Sequence, residues 1–115
     1  MTRHQGFDVR VSPEVEAQIR EWARTQRSDA RKVIDAQDRL AREGTRAPGA
    51  KKLQGLDLWE TRAGRFRVFF CLVPRTNQLA IGAVLAKTAR RIRMAKLKRV
   101  EREVHRWREE LEQES

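Results

Sequence analysis

The first part of the chain changes from a strand pattern to a helix pattern. In residues 6–11, GFDVRV, every second residue is apolar, as in a strand with one buried face. Ser12 and Pro13 then provide an N-cap and a first helical residue. The apolar residues that follow, at spacings of four and three, are Val15, Ile19 and Trp22. The pattern predicts a strand and then a helix that runs to about Gln26.

A second helical pattern follows after a short turn. Ser28-Asp29 offers another N-cap, and Gly44 is a C-cap signal. The residues that repeat along one face between them are Val33, Ile34, Gln37, Leu40 and Ala41. Two amphipathic helices joined by a short turn predict a helical hairpin. The Gly/Pro-rich residues 44–49, GTRAPG, then predict a loop within the domain.

Residues 51–86 return to alternation and predict three strands of an antiparallel meander. The first covers 56–62, Ala63-Gly64 forms a two-residue turn, the second covers 65–73, and the third covers 79–86. In RFRVFFCLV, one face takes Phe66, Val68, Phe70 and Leu72, and the other takes Arg65, Arg67, Phe69, Cys71 and Val73. We expect helices to bury the first face and the second face to stay exposed.

From about residue 90 the chain predicts a helix with one narrow apolar stripe. The stripe consists of Leu97, Val100, Val104, Trp107 and Leu111, at spacings of three and four. Such a stripe can dock on a sheet or form a coiled-coil seam. We expect Leu97 and Val100 to pack in the core, and Trp107 and Leu111 to form a surface for a partner.

The predicted order β-α-α-β-β-β-α defines an α+β fold. We expect an antiparallel sheet, the N-terminal helical hairpin packed on one face, and a C-terminal helix. The chain has 115 residues, which suits one domain with a single modest core. We therefore predict one domain over 1–115, with a basic helical extension from about residue 90.

Charge changes this picture, because the net charge of +10 lies mainly in the second half of the chain. Residues 87–108 hold ten basic side chains against Glu101 and Glu103. Such an excess predicts a polyanionic partner, although a basic surface can also serve solubility alone. We expect the strand arginines and the basic residues after the last strand to converge in a phosphate-binding cleft. The alternative is a row of solvated arginines on an exposed strand.

Several classes of protein are disfavoured by the sequence. The single cysteine, Cys71, excludes an internal disulfide. The polar N-terminus and the lack of an apolar run of about 18 residues favour a cytoplasmic protein with no membrane partner. No cluster of His, Cys, Asp or Glu has metal-ligand spacing, and there is no glycine-rich phosphate loop. We therefore expect neither a metal nor a cofactor.

Two segments resemble the RelE/ParE toxin superfamily, in particular its phage-derived HigB-like branch. They are FDVRVSPEVEAQIREW, residues 7–22, and KKLQGLDLWETRAGRFRVFF, residues 51–70. The resemblance extends over about residues 6–100, and LWETR…GRFRVFF is its most specific part. It implies a type II toxin, of which many relatives enter the ribosomal A site and cleave mRNA. The partners it implies are the ribosome, mRNA and an antitoxin, often a helix-turn-helix protein, through which the complex reaches DNA.

The resemblance also implies roles for individual residues. The RNase relatives promote attack by a ribose 2′-oxygen on the adjacent phosphate, which requires a base, cations and an acid. Arg67 matches the strand arginine of the family and is expected to stabilise the phosphate, with Arg62 and Lys52 as further catalytic candidates. Lys52 or its neighbour would act as base. The expected RNA contacts are Lys51, Arg65, Phe69, Lys87, Arg90 and Arg91, with Phe69 either stacked on a base or covered by the antitoxin.

The chain also departs from the family pattern. Many cleaving relatives use a tyrosine or histidine near the C-terminus, whereas this chain has no tyrosine and only His4 and His105. His105 lies off the apolar stripe and is predicted on the surface. Two alternatives therefore remain open: a toxin of the same fold that inhibits DNA gyrase without cleaving RNA, and an inactive basic binding module.

Overall fold

The computed structural model describes residues 6–86 and 91–114. The order of elements confirms the α+β fold expected from the sequence, with one additional two-residue strand before the meander. The elements are β1 (Asp8–Val11), α1 (Pro13–Thr25), α2 (Arg27–Glu43), a 3-10 turn (Gly44–Arg46), β2 (Lys51–Lys52), β3 (Trp59–Ala63), β4 (Phe66–Leu72), β5 (Gln78–Ala86) and α3 (Met94–Glu114).

The strands form one sheet in the order β1-β5-β4-β3-β2. Strands β2 to β5 pair antiparallel, as a meander of consecutive strands does. Strand β1 lies beside β5 and runs parallel to it, from Asp8 opposite Gln78 to Val11 opposite Ile81. The antiparallel sheet expected from the sequence is therefore confirmed for β2 to β5, whereas β1 pairs in parallel. A parallel neighbour requires a long crossover connection, which the two N-terminal helices and the meander supply here.

Helices α1 and α2 cover one face of the sheet. The Ser12 hydroxyl caps α1 by accepting a hydrogen bond from the Val15 amide at 3.2 Å. The core beneath the two helices includes five residues that are 0% exposed: Val33, Leu40, Val68, Phe70 and Ile81. The prediction that Phe66, Val68 and Phe70 face this hairpin is thus confirmed. Leu72 ends the same row but is 44% exposed, because it lies at the last position of β4.

Helix α3 covers the opposite face and forms a second core. Its stripe packs on Phe69, which was expected to be exposed and is 0% exposed, and on Cys71, which is 1% exposed. Phe69 cannot stack on a base from this position. Trp107 and Leu111, expected on a partner surface, are 9% and 2% exposed in the same core. Phe69, Trp107 and Leu111 are buried for one reason: the apolar stripe of α3 lies against the sheet over nearly its whole length.

Burial also determines the chemistry of Cys71. Removal from water disfavours the thiolate, and this raises the pKa of the thiol from its usual value to about 11, although the nearby Arg108 opposes the change. A thiol with such a pKa, enclosed by α3, is a packing group and not a nucleophile.

A β-bulge allows α3 to approach the sheet closely. Phe69 pairs with Ala83 and Phe70 pairs with Ile81, so Gly82 is an extra residue in β5. A Cβ atom on Gly82 would lie 2.7 Å from the Cα atom of Val104. Any larger residue would therefore push against the backbone of α3.

The turn between β3 and β4 lies one residue later than the sequence suggested. Ala63 pairs with Phe66, so the two turn residues are Gly64 and Arg65. Gly64 has a φ of 63°, which a glycine at the first turn position adopts without strain. The shift removes Arg65 from the strand and therefore from the face that carries Arg67.

Candidate nucleic-acid interface

A cleft of about 560 Å³ opens between the edge of the sheet and the start of α3. Its floor comes from β2, β3 and β4, and its walls come from the loop after β2 and the first turn of α3. The charged residues that line it are Lys51, Glu60, Arg67, Arg91 and Arg93. Four cations and one carboxylate give the cleft a positive potential that attracts phosphate.

Arg67 and Glu60 form a buried ion pair at the floor of this cleft. The Nη1 atom of Arg67 lies 2.9 Å from Oε2 of Glu60, and the two side chains are 10% and 7% exposed. The Nζ atom of Lys51 lies 3.5 Å from the same oxygen. The register explains this cluster, because Glu60 lies opposite Lys51 on one side and opposite Phe69 on the other, which places Arg67 diagonally across from it.

Arg67 lines the cleft with a side chain that is 10% exposed. A guanidinium has five N–H donors, and Glu60 accepts from Nη1. Within the described part of the chain, no side-chain nitrogen is both buried and without a hydrogen-bond partner. The donors that Glu60 does not bind are therefore not fully enclosed, and with 10% of the side chain exposed a ligand in the cleft can reach part of the guanidinium. Arg67 is thus held in place on one side and open on another.

Arg62 adds a second guanidinium beside the first. It lies directly opposite Arg67 across the β3–β4 pair, so both side chains project from the same face of the sheet. Its side chain is exposed, and no ion pair joins it to any of the described residues. The two arginines predicted as catalytic therefore lie side by side, as expected.

The two lysines before the hairpin have different environments. Lys51 shares the face of Arg67 through its contact with Glu60. Lys52 pairs with Trp59 on the opposite face, and its Nζ donates a hydrogen bond to the Leu56 carbonyl at 2.7 Å. The structure therefore places Lys52 outside the lining of the cleft, and its role as catalytic base stays a prediction. The Lys52 ammonium stabilises the loop after β2 through its bond to Leu56. Lys51 is the lysine that lines the cleft.

Arg65 contributes to the fold and not to the cleft. Its Nη2 donates to Oε1 of Gln26 and to Oδ2 of Asp29, both at 2.9 Å. Its guanidinium also lies 4.9 Å from the centre of the Phe66 ring. Arg65 therefore joins the hairpin turn to the junction of α1 and α2, away from the cleft, and its contact with RNA stays a prediction. Lys87 and Arg90 lie outside the described residues, and Arg91 is exposed in the cleft.

The loop that forms one wall of the cleft is fastened to α3 through Asp57. The Asp57 amide donates to Glu101 Oε2 at 2.7 Å, and the Asp57 carboxylate accepts from Arg108 at 3.0 Å. The Asp57 carbonyl lies 2.7 Å from Nε2 of His105. Because a carbonyl only accepts, this nitrogen carries the proton. His105 therefore helps to hold the loop against α3. Its side chain is 25% exposed and does not lie freely on the surface.

Sequence reasoning missed Glu60, Arg93 and the role of Asp57. Glu60 had a detectable signal, since it lies two residues before Arg62 on a predicted strand and so shares its face. The contact between Asp57 and α3 joins residues more than forty positions apart, and no local pattern contains it.

No protein-family model matches the chain, and no curated protein is significantly similar to it. Over residues 6–86 and 91–114, no group of three or more His, Cys, Asp or Glu side chains could hold a metal ion. Over the same residues, no helix has both the length and the apolar character needed to cross a bilayer.

Proposed function

We propose that the chain is the toxin of a type II toxin–antitoxin system and acts in the cytoplasm as a ribosome-dependent mRNA endonuclease. The observation that supports this most directly is Arg67, fixed at the floor of a cationic cleft and open to a ligand. The family resemblance of the hairpin provides the identity of the substrate. Inhibition of translation follows from cleavage of mRNA on the ribosome.

In this proposal the arginines stabilise the charge that develops when a ribose 2′-oxygen loses its proton and attacks the adjacent phosphate. The bond from phosphorus to the 5′-oxygen of the next nucleotide breaks, a 2′,3′-cyclic phosphate forms, and the departing oxygen takes a proton from water. Arg67 contacts a non-bridging phosphate oxygen, and Arg62 contacts the next phosphate or the same one from the side. Lys51 replaces Lys52 as the lysine beside the reacting ribose. No histidine lines the described cleft and the chain has no tyrosine, so catalysis rests on positioning and charge stabilisation.

Binding to the ribosome is supported by cations that continue from the cleft along α3. The exposed basic side chains of its first half are Lys96, Lys98, Arg99 and Arg102. A cationic helix beside the cleft suits the phosphate backbone of ribosomal RNA or of the bound mRNA. The proposed protein partner is a helix-turn-helix antitoxin, and DNA binding occurs only through that complex.

The test is primer extension on a reporter mRNA in a cell-free translation reaction, with and without ribosomes. We expect cleavage only with translating ribosomes, and a loss of at least about a hundredfold in Arg67→Ala, because removal of one charge-stabilising donor typically costs that much. Arg62→Ala and Lys51→Ala change exposed side chains, and circular dichroism of both variants separates a loss of cleavage from misfolding.

Arg31→Ala is the matched control, since it removes the same charge from an exposed position of α2 on the other side of the sheet. It should cleave like the unchanged protein. Cleavage without ribosomes, or cleavage that persists in the Arg67, Lys51 and Arg62 variants, would show that the cleft and its neighbouring arginine are not the site.

A second candidate function is inhibition of DNA gyrase without RNA cleavage. The observation in its favour is that His105, the described histidine, is engaged with Asp57 and lies outside the cleft. Growth arrest with intact mRNA, together with loss of gyrase supercoiling activity in the presence of the purified protein, would favour this function over the first.

A further inference from the structure

The second half of β5 pairs with a neighbouring strand on only one of its two edges. Strand β1 pairs with β5 as far as Ile81, and the last bond of this pair runs from the Ser12 amide to the Ile81 carbonyl at 3.0 Å. The chain then turns away into α1. From Gly82 to Ala86, β5 pairs with β4 and has no other strand beside it among the described residues. This stretch is an unpaired sheet edge of the kind that accepts a further strand, although Ala83 and Val84 are only 5% and 3% exposed.

The open edge lies at the bottom of a groove between two helices. A hollow of about 310 Å³ is lined by residues 82–85, by the first turns of α1 and by the middle of α3. A second hollow of about 280 Å³ continues from Leu85 and Ala86 towards the start of α3. Together they follow the whole unpaired stretch. Walls on both sides admit a single extended chain, whereas a second copy would bring its own helices against them.

Charges along the groove change sign from one end to the other. The carboxylates of Glu14, Glu103 and Glu110 line the first hollow with Arg106 as the one cation, and all four side chains are exposed. The second hollow is lined by the cations Arg91, Arg93, Lys96 and Arg99. An acidic hollow on a chain with a net charge of +10 repels RNA and attracts basic side chains.

We propose that this groove binds an extended segment of a partner protein as an added antiparallel strand on β5. Main-chain hydrogen bonds to residues 82–86 provide the affinity, as in other cases of strand addition. Antiparallel addition places an acidic residue near Lys96 and Arg99, followed by basic residues near Glu103 and Glu110. Alternate residues of the segment are apolar and face Val15 of α1. The proposal does not depend on RNA cleavage.

The test uses a synthetic peptide with these features, Glu-Val-Thr-Val-Lys-Val-Lys, capped at both ends and labelled with fluorescein. Binding is measured by fluorescence anisotropy, and amide hydrogen exchange is followed by NMR. We expect slower exchange of amides within 82–86. A peptide methylated on the backbone nitrogens that face β5 should bind at least about tenfold more weakly, since it lacks two or more hydrogen bonds.

A charge exchange tests the orientation. Glu103→Lys combined with Glu110→Lys should weaken binding of the basic peptide about tenfold and strengthen binding of the peptide with glutamates in place of its lysines. Glu109→Lys is the matched control, because Glu109 is exposed on the same helix but does not line the groove. It should bind the basic peptide as the unchanged protein does.

Three outcomes would overturn the proposal. Equal binding of the methylated peptide would exclude strand addition. Peptide-induced changes confined to the cleft around Arg67 would place binding elsewhere. Protection of residues 82–86 without peptide, increasing with protein concentration, would make a second copy of this chain the occupant.

Discussion

At the scale of single residues, the notable contact is the one between Arg67 and Glu60. Two side chains about nine-tenths buried hold opposite charges at 2.9 Å, and removing either one leaves the other buried without its partner. Glu60 therefore fixes the guanidinium in place and at the same time competes with any phosphate for it. Without a ligand, the Arg67 guanidinium is therefore well positioned, but Glu60 partly neutralises its charge.

Glu60→Gln should therefore strengthen RNA binding. The amide oxygen of Gln can still accept from Arg67, while the negative charge that repels phosphate is lost. We expect the Kd for a single-stranded RNA oligonucleotide, measured by fluorescence anisotropy, to fall about tenfold. The free energy of unfolding should fall by about 2 kcal/mol, because a charged hydrogen bond becomes a neutral one.

Glu21→Gln is the control for this change. It removes the same charge from an exposed pair with Arg24 on α1, and both the affinity and the stability should stay within about 0.5 kcal/mol of the unchanged protein. Weaker RNA binding by Glu60→Gln would mean that the carboxylate organises the site without competing with the ligand.

Residue-level prediction from the sequence succeeded where alternation alone decides the face, as for Arg62 and Arg67. It failed where one residue of register matters. A turn at Gly64-Arg65 in place of Ala63-Gly64 moved Arg65 to the other side of the sheet. Lys51 and Lys52 are neighbours on a strand, so the choice between them also depended on the pairing with β3.

At the scale of elements, α3 has two roles. Its apolar stripe encloses the second core, and its first turn forms a wall of the cleft. Both depend on the close approach at Gly82, where the bulge of β5 leaves room for the helix backbone.

Gly82→Ala should destabilise the protein by about 2 kcal/mol or more, as overpacking against an inflexible neighbour does. The added methyl meets the Cα atom of Val104, so Val104→Ala should relieve little of the loss. Urea unfolding followed by circular dichroism measures both. Gly55→Ala is the comparison, since a Cβ there meets open space and the cost arises from its φ of 80° alone, about 1 kcal/mol. Equal losses would show that α3 shifts freely to make room.

The elements themselves were predictable because their signals are local: N-caps, helical stripes and alternation. The face on which α3 docks was not predictable, since a stripe of spacing three and four fits either a sheet or a second helix. For the same reason Phe69, Trp107 and Leu111 were expected outside the core, in contact with RNA or a partner. The parallel pairing of β1 with β5 depends on contacts about seventy residues apart, which no window of the sequence contains.

At the scale of the whole molecule, the two faces differ in charge. Residues 1–50, which contain α1 and α2, hold ten basic and eight acidic side chains, whereas residues 87–108 hold ten basic and two acidic ones. Since the sheet separates α1 and α2 from α3, a polyanion is attracted to the cleft and to the first half of α3.

RNA affinity should therefore depend strongly on salt. If about four phosphates contact the cleft cations, the logarithm of the association constant should fall with the logarithm of salt concentration with a slope of about −3. Arg62→Ala should reduce the slope by about 0.7, whereas Arg31→Ala should leave it unchanged. A salt series of anisotropy titrations measures all three, and a slope near zero would exclude a phosphate-binding cleft.

The fastening of the loop at Asp57 to α3 also bears on when the proposed activity can begin during synthesis. The strands of the cleft are made first, but the loop wall is held by Glu101, His105 and Arg108, and the first turn of α3 forms the opposite wall. A nascent chain that has exposed only the sheet therefore has the arginines but not the cleft. The cleft can form only after the ribosome has translated residue 108 and this segment has left the exit tunnel. Assembly of the site is in this way coupled to the direction of translation, and partial chains released early should be inert.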